Sequence, residues 1–94
     1  MNFTEEQSIL IGEILKSIAH TMRLRIIDFL IDGERTVGEV EKMFGSSTAN
    51  VSQHLTILRK IGILQRRKQA NFMYYDIKDK KILQLIQSFK NLYC

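Results

Sequence analysis

The sequence predicts a mostly helical fold that includes a small β-hairpin. Most of the chain carries apolar residues at helical three- and four-residue spacing, and proline is absent. After Gly62 the pattern becomes strand-like over two runs, 63–68 and 72–77, which flank Gln69-Ala70-Asn71 without the favoured Asn-Gly turn. Ninety-four residues, 45% of them hydrophobic, suit one globular domain over 1–94 with a modest core.

The first two helices are predicted over 5–19 and 22–31. Thr4 is available as the N-cap of the first helix, whose apolar stripe is wide for one small core. Part of that stripe is therefore expected to cover a partner subunit. The second helix is apolar around most of its surface, as a central element is, and Asp32-Gly33 ends it.

A helix-turn-helix is predicted in the middle of the chain. Thr36 and Glu39 have the spacing of a capping box, so a short helix is expected over 37–44. Gly45 permits a tight turn, and Ser46 or Ser47 can cap a further helix that runs to about residue 61. Two helices joined by a short turn that contains glycine form this motif.

The helix over 46–61 has two contrasting faces. Its apolar residues Val51, Leu55 and Leu58 form a stripe that should be buried. The other positions carry short or amide side chains, which both donate and accept hydrogen bonds and suit the reading of base edges; these residues are Thr48, Asn50, Ser52, Gln53, His54 and Thr56. The alternative is an ordinary solvated helix face. For His54, contact with a phosphate or base and partial burial both remain open.

The positive charge is concentrated after the predicted reading helix. Residues 1–58 carry five Lys/Arg and eight Asp/Glu, whereas residues 59–94 carry nine Lys/Arg and two Asp. This distribution favours a polyanionic partner, here double-stranded DNA, although a basic face can also be simply solvated. The candidate DNA-binding residues lie on the reading helix and the hairpin: Ser47, Thr48, Asn50, Ser52, Gln53, His54, Arg66, Arg67, Lys68, Gln69 and Asn71.

A last helix is predicted from a cap at Asp79 to about residue 92, and its apolar stripe is also wide. The two wide terminal stripes together predict a homodimer. Four residues are expected to contribute to its interface: Ile9, Ile14, Leu85 and Phe89.

Other classes of protein are disfavoured. No apolar run is long enough to cross a bilayer, and residues 1–12 contain two acids and no base, so we expect a cytoplasmic protein that does not bind membranes. A single cysteine, Cys94, excludes a disulfide framework and a multi-cysteine zinc module. Neither a serine elbow, nor paired carboxylates in an apolar context, nor a glycine-rich phosphate loop is present, so no enzyme activity and no cofactor is expected.

The sequence also predicts the roles or positions of several individual residues. His20 should pack or cap locally, and Arg23 and Arg25 should make structural salt bridges or backbone contacts. Tyr74 and Tyr75 are adjacent on a strand, so one should face the core and the other the solvent.

The chain resembles the ArsR/SmtB family of small winged-helix repressors. The matching stretches are LKSIAHTMRLRIIDFL, GERTVGEVEKMFG, ANVSQHLTILRKIGIL and the segment ending MYYDI, which together cover roughly residues 15–77. Thr21 departs from the proline that members commonly have there. The resemblance implies a dimer built from the first and last helices, a recognition helix in the major groove and a wing near the minor groove or backbone.

The resemblance also has consequences for the signal that would regulate DNA binding. The metal ligands that many members use, a Cys-x-Cys pair or an Asp/His set on the last helix, are missing, so no metal site is expected. The sulfide- and persulfide-responsive branch looks closer, and Cys94 matches one of its two cysteines, so Cys94 is a possible redox residue. Asp28 stands at the position of the other cysteine. The intramolecular sulfur bridge of those sensors cannot form, and DNA binding is expected to be insensitive to persulfide and to zinc.

The function predicted is that of a sequence-specific DNA-binding regulator, a repressor that binds a palindromic operator as a dimer. The alternative is a winged-helix module that binds another protein and does not read DNA sequence.

Overall fold

The computed structural model describes residues 2–45 and 48–94, although the side chains of Thr48 and Ala49 also lie outside the description. In chain order the elements within these residues are α1 (Glu5–Ile18), α2 (Thr21–Leu30), β1 (Arg35–Thr36), α3 (Val37–Phe44), α4 (Thr48–Lys60), β2 (Leu64–Gln69), β3 (Phe72–Ile77) and α5 (Lys81–Tyr93). None of the described helices is long and apolar enough to cross a membrane.

The helix starts follow from their capping residues. The side chain of Thr4 accepts a hydrogen bond from the backbone N–H of Gln7, and the Gln7 side chain accepts one from the backbone N–H of Thr4. Thr36 and Glu39 form the same reciprocal box at α3, as predicted. The predicted cap of α4 at Ser46 or Ser47 lies outside the described residues.

The sheet has the strand order β1-β3-β2, with both pairings antiparallel. The predicted hairpin of β2 and β3 is confirmed, and its turn places Ala70 in the left-handed region at φ 53°. The two-residue strand β1 was not predicted. It pairs Arg35 with Tyr75 and Thr36 with Tyr74, and a strand of this length has no alternation of its own from which it could be recognised.

The core lies between the helices and the inner face of the sheet. On α4, the predicted stripe of Val51, Leu55 and Leu58 is confirmed, since all three are 0% exposed. The remaining buried hydrophobic residues come from α1, α2, α3, α5, the sheet and the segment before β2: Ile18, Ile26, Ile27, Leu30, Val40, Ile63, Leu64, Tyr75, Ile77, Ile82 and Ile86. Tyr75 faces the core whereas Tyr74 is only half-buried, as the alternation predicted.

The last helix differs slightly from its prediction. Lys80, in a helical conformation, stands between Asp79 and α5, so Asp79 lies one residue further from the helix than predicted. The Asp79 carboxylate still accepts a hydrogen bond from the backbone N–H of Lys81 at 3.0 Å, so it satisfies one free amide at the helix start. Asp28 on α2 lies at the surface, and its carboxylate pairs with the ammonium of Lys90 on α5 at 2.8 Å.

The turn after α3 requires glycine. Gly45 ends the helix at φ 63°, where a side chain is strained, whereas Gly38 lies within α3 and a Cβ there would meet only the Thr36 hydroxyl at 3.8 Å. We expect Gly45→Ala to lower the free energy of unfolding by about 1–2 kcal/mol. The matched variant Gly38→Ala should leave it unchanged or raise it by up to about 1 kcal/mol. Urea denaturation measures both, and equal effects would contradict the assignment.

Candidate nucleic-acid interface

The outer face of α4 is narrower than the sequence suggested. Asn50 and Gln53, three residues apart and so on one face of the helix, are exposed. Ser52 and Thr56 are half-buried at its margin. The structure therefore presents two amide side chains outward from a helix whose opposite stripe is fully buried. An exposed amide has a donor and an acceptor side by side, and can bind an adenine edge with two hydrogen bonds.

His54 lies on the flank of α4 and takes part in a polar contact between helices. Its Nδ1 accepts a hydrogen bond from Arg23 Nε at 3.2 Å, and its ring centre lies 4.6 Å from that of His20. Arg23 also donates from Nη1 to the carbonyl of Ser17 at 3.0 Å. The same arginine therefore joins the end of α1 to the recognition helix, which confirms the structural role predicted for it.

His20 has the local capping role that the sequence predicted. It precedes α2, and its Nδ1 accepts a hydrogen bond from the backbone N–H of Met22 at 3.2 Å. Arg25 stacks over the Phe44 ring, with its guanidinium carbon 4.7 Å from the ring centre. Among the described residues the partner of Arg25 is therefore an aromatic face of α3, and not the salt bridge or backbone contact that was expected.

The pKa of His54 is lowered from its ordinary value of 6.5. Partial burial is the largest cause, followed by the nearby His20 and Arg23, because all three disfavour a positive charge on the ring. A neutral ring also fits the geometry, since Nδ1 must be unprotonated to accept from Arg23.

The wing, which we define as β2, β3 and the turn between them, has two faces with different cations. Arg66 pairs across the strands with Tyr75, and Lys68 pairs with Met73. Arg66 and Lys68 therefore lie on the same face of β2 as the buried Leu64. Arg66 and Lys68 are exposed, and Arg66 Nη1 lies 3.5 Å from the Tyr75 hydroxyl. Lys68, close to the hairpin turn and so near the tip of the wing, makes no ion pair with any of the described residues.

Arg67 lies on the opposite, outer face of the wing. Its Nε donates to Glu34 Oε2 at 3.0 Å and its Nη2 donates to Glu34 Oε1, so one carboxylate binds two guanidinium donors. Nη1 donates to the side-chain oxygen of Gln69, and the guanidinium carbon lies 4.5 Å from the centre of the Tyr74 ring. The hydrogen bond from Arg67 is the largest cause that lowers the pKa of Glu34.

The candidate DNA-binding residues are thus placed as follows. The structure brings Asn50 and Gln53 together on the outer face of α4, and leaves Gln69 and Asn71 exposed on either side of the hairpin turn. Ser47 and the side chain of Thr48 lie outside the described residues. Sequence reasoning missed Glu34, which no local pattern connects with a residue 33 positions later.

The remaining predicted site residues concern the surface formed by α1 and α5. Ile9 is 56% exposed and Phe89 is 37% exposed, whereas Ile14 and Leu85 are half-buried against the core of the same chain. Cys94 is an exposed free thiol after the end of α5.

The chain is similar to proteins that regulate transcription. It is 35% identical to the transcriptional activator HlyU from Vibrio cholerae over 81 residues, which are 86% of this chain and 75% of HlyU. The structure of that HlyU superposes with a TM-score of 0.90 at 33% identity, covering 97% of this chain and 99% of HlyU.

Three further matches agree with this likeness. The biofilm growth-associated repressor from Xylella fastidiosa is 31% identical over 84 residues, covering 89% of this chain and 74% of the repressor. The structure of the transcriptional repressor BigR from the same organism gives a TM-score of 0.88 over 96% of this chain and 92% of BigR, at 30% identity. Mb0332 from Mycobacterium bovis, described as a homodimeric winged helix-turn-helix DNA-binding domain, shares the fold at a TM-score of 0.80 and 23% identity, over 97% of this chain and 87% of Mb0332.

The fold and these relatives together define a DNA-binding transcriptional regulator with a winged helix-turn-helix, and not an enzyme. The family model for the bacterial regulatory proteins of the arsR family matches residues 21–66. The chain belongs to the ArsR family, which confirms the resemblance drawn from its residues.

The lowered pKa of His54 makes the stability of the fold depend on pH. Between the ordinary pKa of 6.5 and the lower value in the folded protein, the unfolded chain binds more protons than the folded one. The contribution of His54 is therefore complete above pH 6.5 and is lost as the pH falls through that window. We expect a smaller free energy of unfolding at about pH 5.5 than at about pH 7.5.

The control variant is His54→Asn, because the Asn carbonyl can accept from Arg23 but does not titrate. Urea denaturation of this variant should show a smaller loss between the two pH values. If the wild-type protein and the variant lose equal stability, another group is responsible.

Proposed function

We propose that the 94-residue chain acts as one domain that binds an imperfect palindrome as a homodimer, with α4 of each subunit in the major groove and the wing along the backbone. One observation carries this proposal: Asn50 and Gln53 face outward from a helix that the core holds through 0%-exposed residues. Because buried residues hold this helix, it can contact base pairs without rotating. Direct reading of bases requires such a fixed orientation. A protein-docking helix would instead present exposed aromatic or Met side chains.

The wing supplies cations for the backbone in this arrangement. Arg66 and Lys68 share one face of the hairpin and are both exposed, and phosphate contacts from such residues hold a protein on the duplex without reading sequence. The chain has a net charge of +4, and most of its Lys and Arg residues lie in the C-terminal part. This distribution also favours binding to the DNA backbone.

We propose that binding represses transcription. Occupation of an operator by a small dimer is enough to exclude another protein from the same DNA, so repression requires no further contact. The relatives include both a repressor and an activator, so the direction of regulation needs its own measurement. Transcription in vitro from the promoter of its own operon, with and without the protein, decides between the two.

The reading role of α4 can be separated from the backbone role of the wing. We expect Gln53→Ala to weaken binding to the operator by about 1–3 kcal/mol while leaving affinity for random DNA unchanged, because the lost contact discriminates bases. Lys68→Ala should weaken binding to both DNAs equally and lower the salt slope by about one unit per subunit. Fluorescence anisotropy on both duplexes over a range of salt concentrations measures this. Equal losses on both DNAs for Gln53→Ala would refute base reading.

The homodimer rests on apolar side chains that the fold leaves uncovered on its terminal helices. Ile9 and Leu10 on α1 and Phe89 and Leu92 on α5 are exposed, and large apolar patches of this kind are rare on monomers. The partly buried Ile14 and Leu85 contribute at the base of the same surface. The homodimer described for Mb0332 supports this arrangement.

We expect sedimentation of the wild-type protein at micromolar concentration to show no monomer. Ile9→Glu should shift it to a monomer while the circular dichroism spectrum stays helical, because Ile9 contributes little to the core of its own chain. Glu5→Gln, on the first turn of the same helix, is the control that changes one charge without charging the apolar surface. A folded, monomeric wild-type protein would rule out the dimer.

A further inference from the structure

The outer face of the wing carries an arginine, Arg67, each of whose three nitrogens already donates a hydrogen bond within the protein. Arg67 Nε and Nη2 both donate to the carboxylate of Glu34, in the two-pronged geometry that a guanidinium also uses to bind a phosphate. Glu34 lies before β1 and so comes from the far edge of the sheet. The carboxylate reaches Arg67 across the central strand β3, above Tyr74.

Two features fix the guanidinium independently of Glu34. Tyr74 is the cross-strand partner of Arg67 and lies beneath the guanidinium at 4.5 Å, while Gln69 accepts a hydrogen bond from Nη1. The plane of the guanidinium is therefore kept if the carboxylate leaves, and its two remaining donors stay aimed away from the ring. Arg67 is in this sense a preformed anion site that holds a carboxylate of its own chain.

The carboxylate can be exchanged. The side chains of Arg67 and Glu34 are 50% and 38% exposed, and ion pairs in water are weak because solvent screens them. Glu34 also belongs to the short loop between α2 and β1, next to Gly33, and not to a regular element. A DNA phosphate that approaches Arg67 therefore competes with a carboxylate, that of Glu34, which few other contacts hold in place.

We propose that Glu34 competes with DNA phosphate for the guanidinium of Arg67, and that this competition sets how strongly the wing binds the backbone of any duplex. The inference rests on the proposed placement of the wing along DNA. In the free protein the carboxylate neutralises Arg67. On DNA a phosphate replaces the carboxylate, and Glu34 turns to solvent. Glu34 thereby reduces affinity for all sequences alike and leaves the reading by α4 untouched.

The test is Glu34→Gln, which removes the competing charge but keeps the size of the side chain. Its affinity for operator and for random DNA should rise by the same factor, because phosphate then binds Arg67 without displacing a carboxylate. The gain should be larger at about 50 mM salt than at about 200 mM, because salt screens the ion pair that competes with DNA in the wild-type protein.

Two matched variants show whether the gain passes through Arg67. Asp76→Asn removes one negative charge from the same outer face, where Asp76 pairs with Gln65 and not with Arg67. It should produce a clearly smaller gain than Glu34→Gln at both salt concentrations. Combining Glu34→Gln with Arg67→Ala should abolish the gain, because the freed donors are then missing.

The outcomes separate this inference from the proposed function. If Lys68→Ala costs affinity but Glu34→Gln gives no gain, the wing lies on DNA and the competition alone is wrong. A loss of affinity in Glu34→Gln would show that the pair braces the wing, which also overturns the competition. If both variants bind like the wild-type protein, the placement of the wing fails and the competition fails with it.

Discussion

The burial of one stripe of α4 is the constraint on which the rest of the structure depends. Val51, Leu55 and Leu58 are completely removed from solvent, and each side chain of this size gains about 1.5–3 kcal/mol from burial. A rotation of the helix would expose this stripe, so the opposite face, with Asn50 and Gln53, is fixed by hydrophobic burial and not by contacts of its own. The residues proposed to read DNA are therefore free to exchange water for bases.

One connection between the wing and the helix-turn-helix passes through Thr36. Thr36 pairs with Tyr74 on the central strand, and its side chain also accepts a hydrogen bond from the backbone N–H of Glu39 at the start of α3. Because β1 and α3 are contiguous, the direction of the sheet determines where the first helix of the motif begins. Arg23 makes a comparable connection on the other side, from the carbonyl of Ser17 to His54 on α4. The recognition helix is thus located by polar contacts at its flank as well as by its buried stripe.

Local patterns in the sequence predicted most of this fold, because periodicity, capping boxes and turn glycines act over a few residues. The bounds of α3, the capping box at Thr36 and the buried stripe of α4 are all of this kind. What the sequence did not show are pairs between distant residues: Arg67 with Glu34, and Lys90 with Asp28. Charged side chains on a surface have many possible partners, and only the folded backbone selects one. The sequence could not show for the same reason which polar side chains of α4 are exposed, since the angle at which α4 packs decides that His54 turns towards Arg23.

The pair of Asp28 and Lys90 also bears on how α2 and α5 are connected. In the sulfur-responsive branch that the chain resembles, cysteines on these two helices form a covalent bridge, and a bridge fixes one helix spacing until it is reduced. Here a carboxylate and an ammonium, both about half exposed, lie 2.8 Å apart between the same helices. Such a contact forms and breaks freely in water, weakens with salt and does not respond to an oxidant. Cys94 lies one helical turn beyond Lys90, where its backbone N–H donates to the Lys90 carbonyl, so its oxidation would alter the end of α5 without closing a link to α2. At this point the two helices are thus linked by an ion pair, where the sulfur-responsive branch has a covalent, redox-dependent bridge.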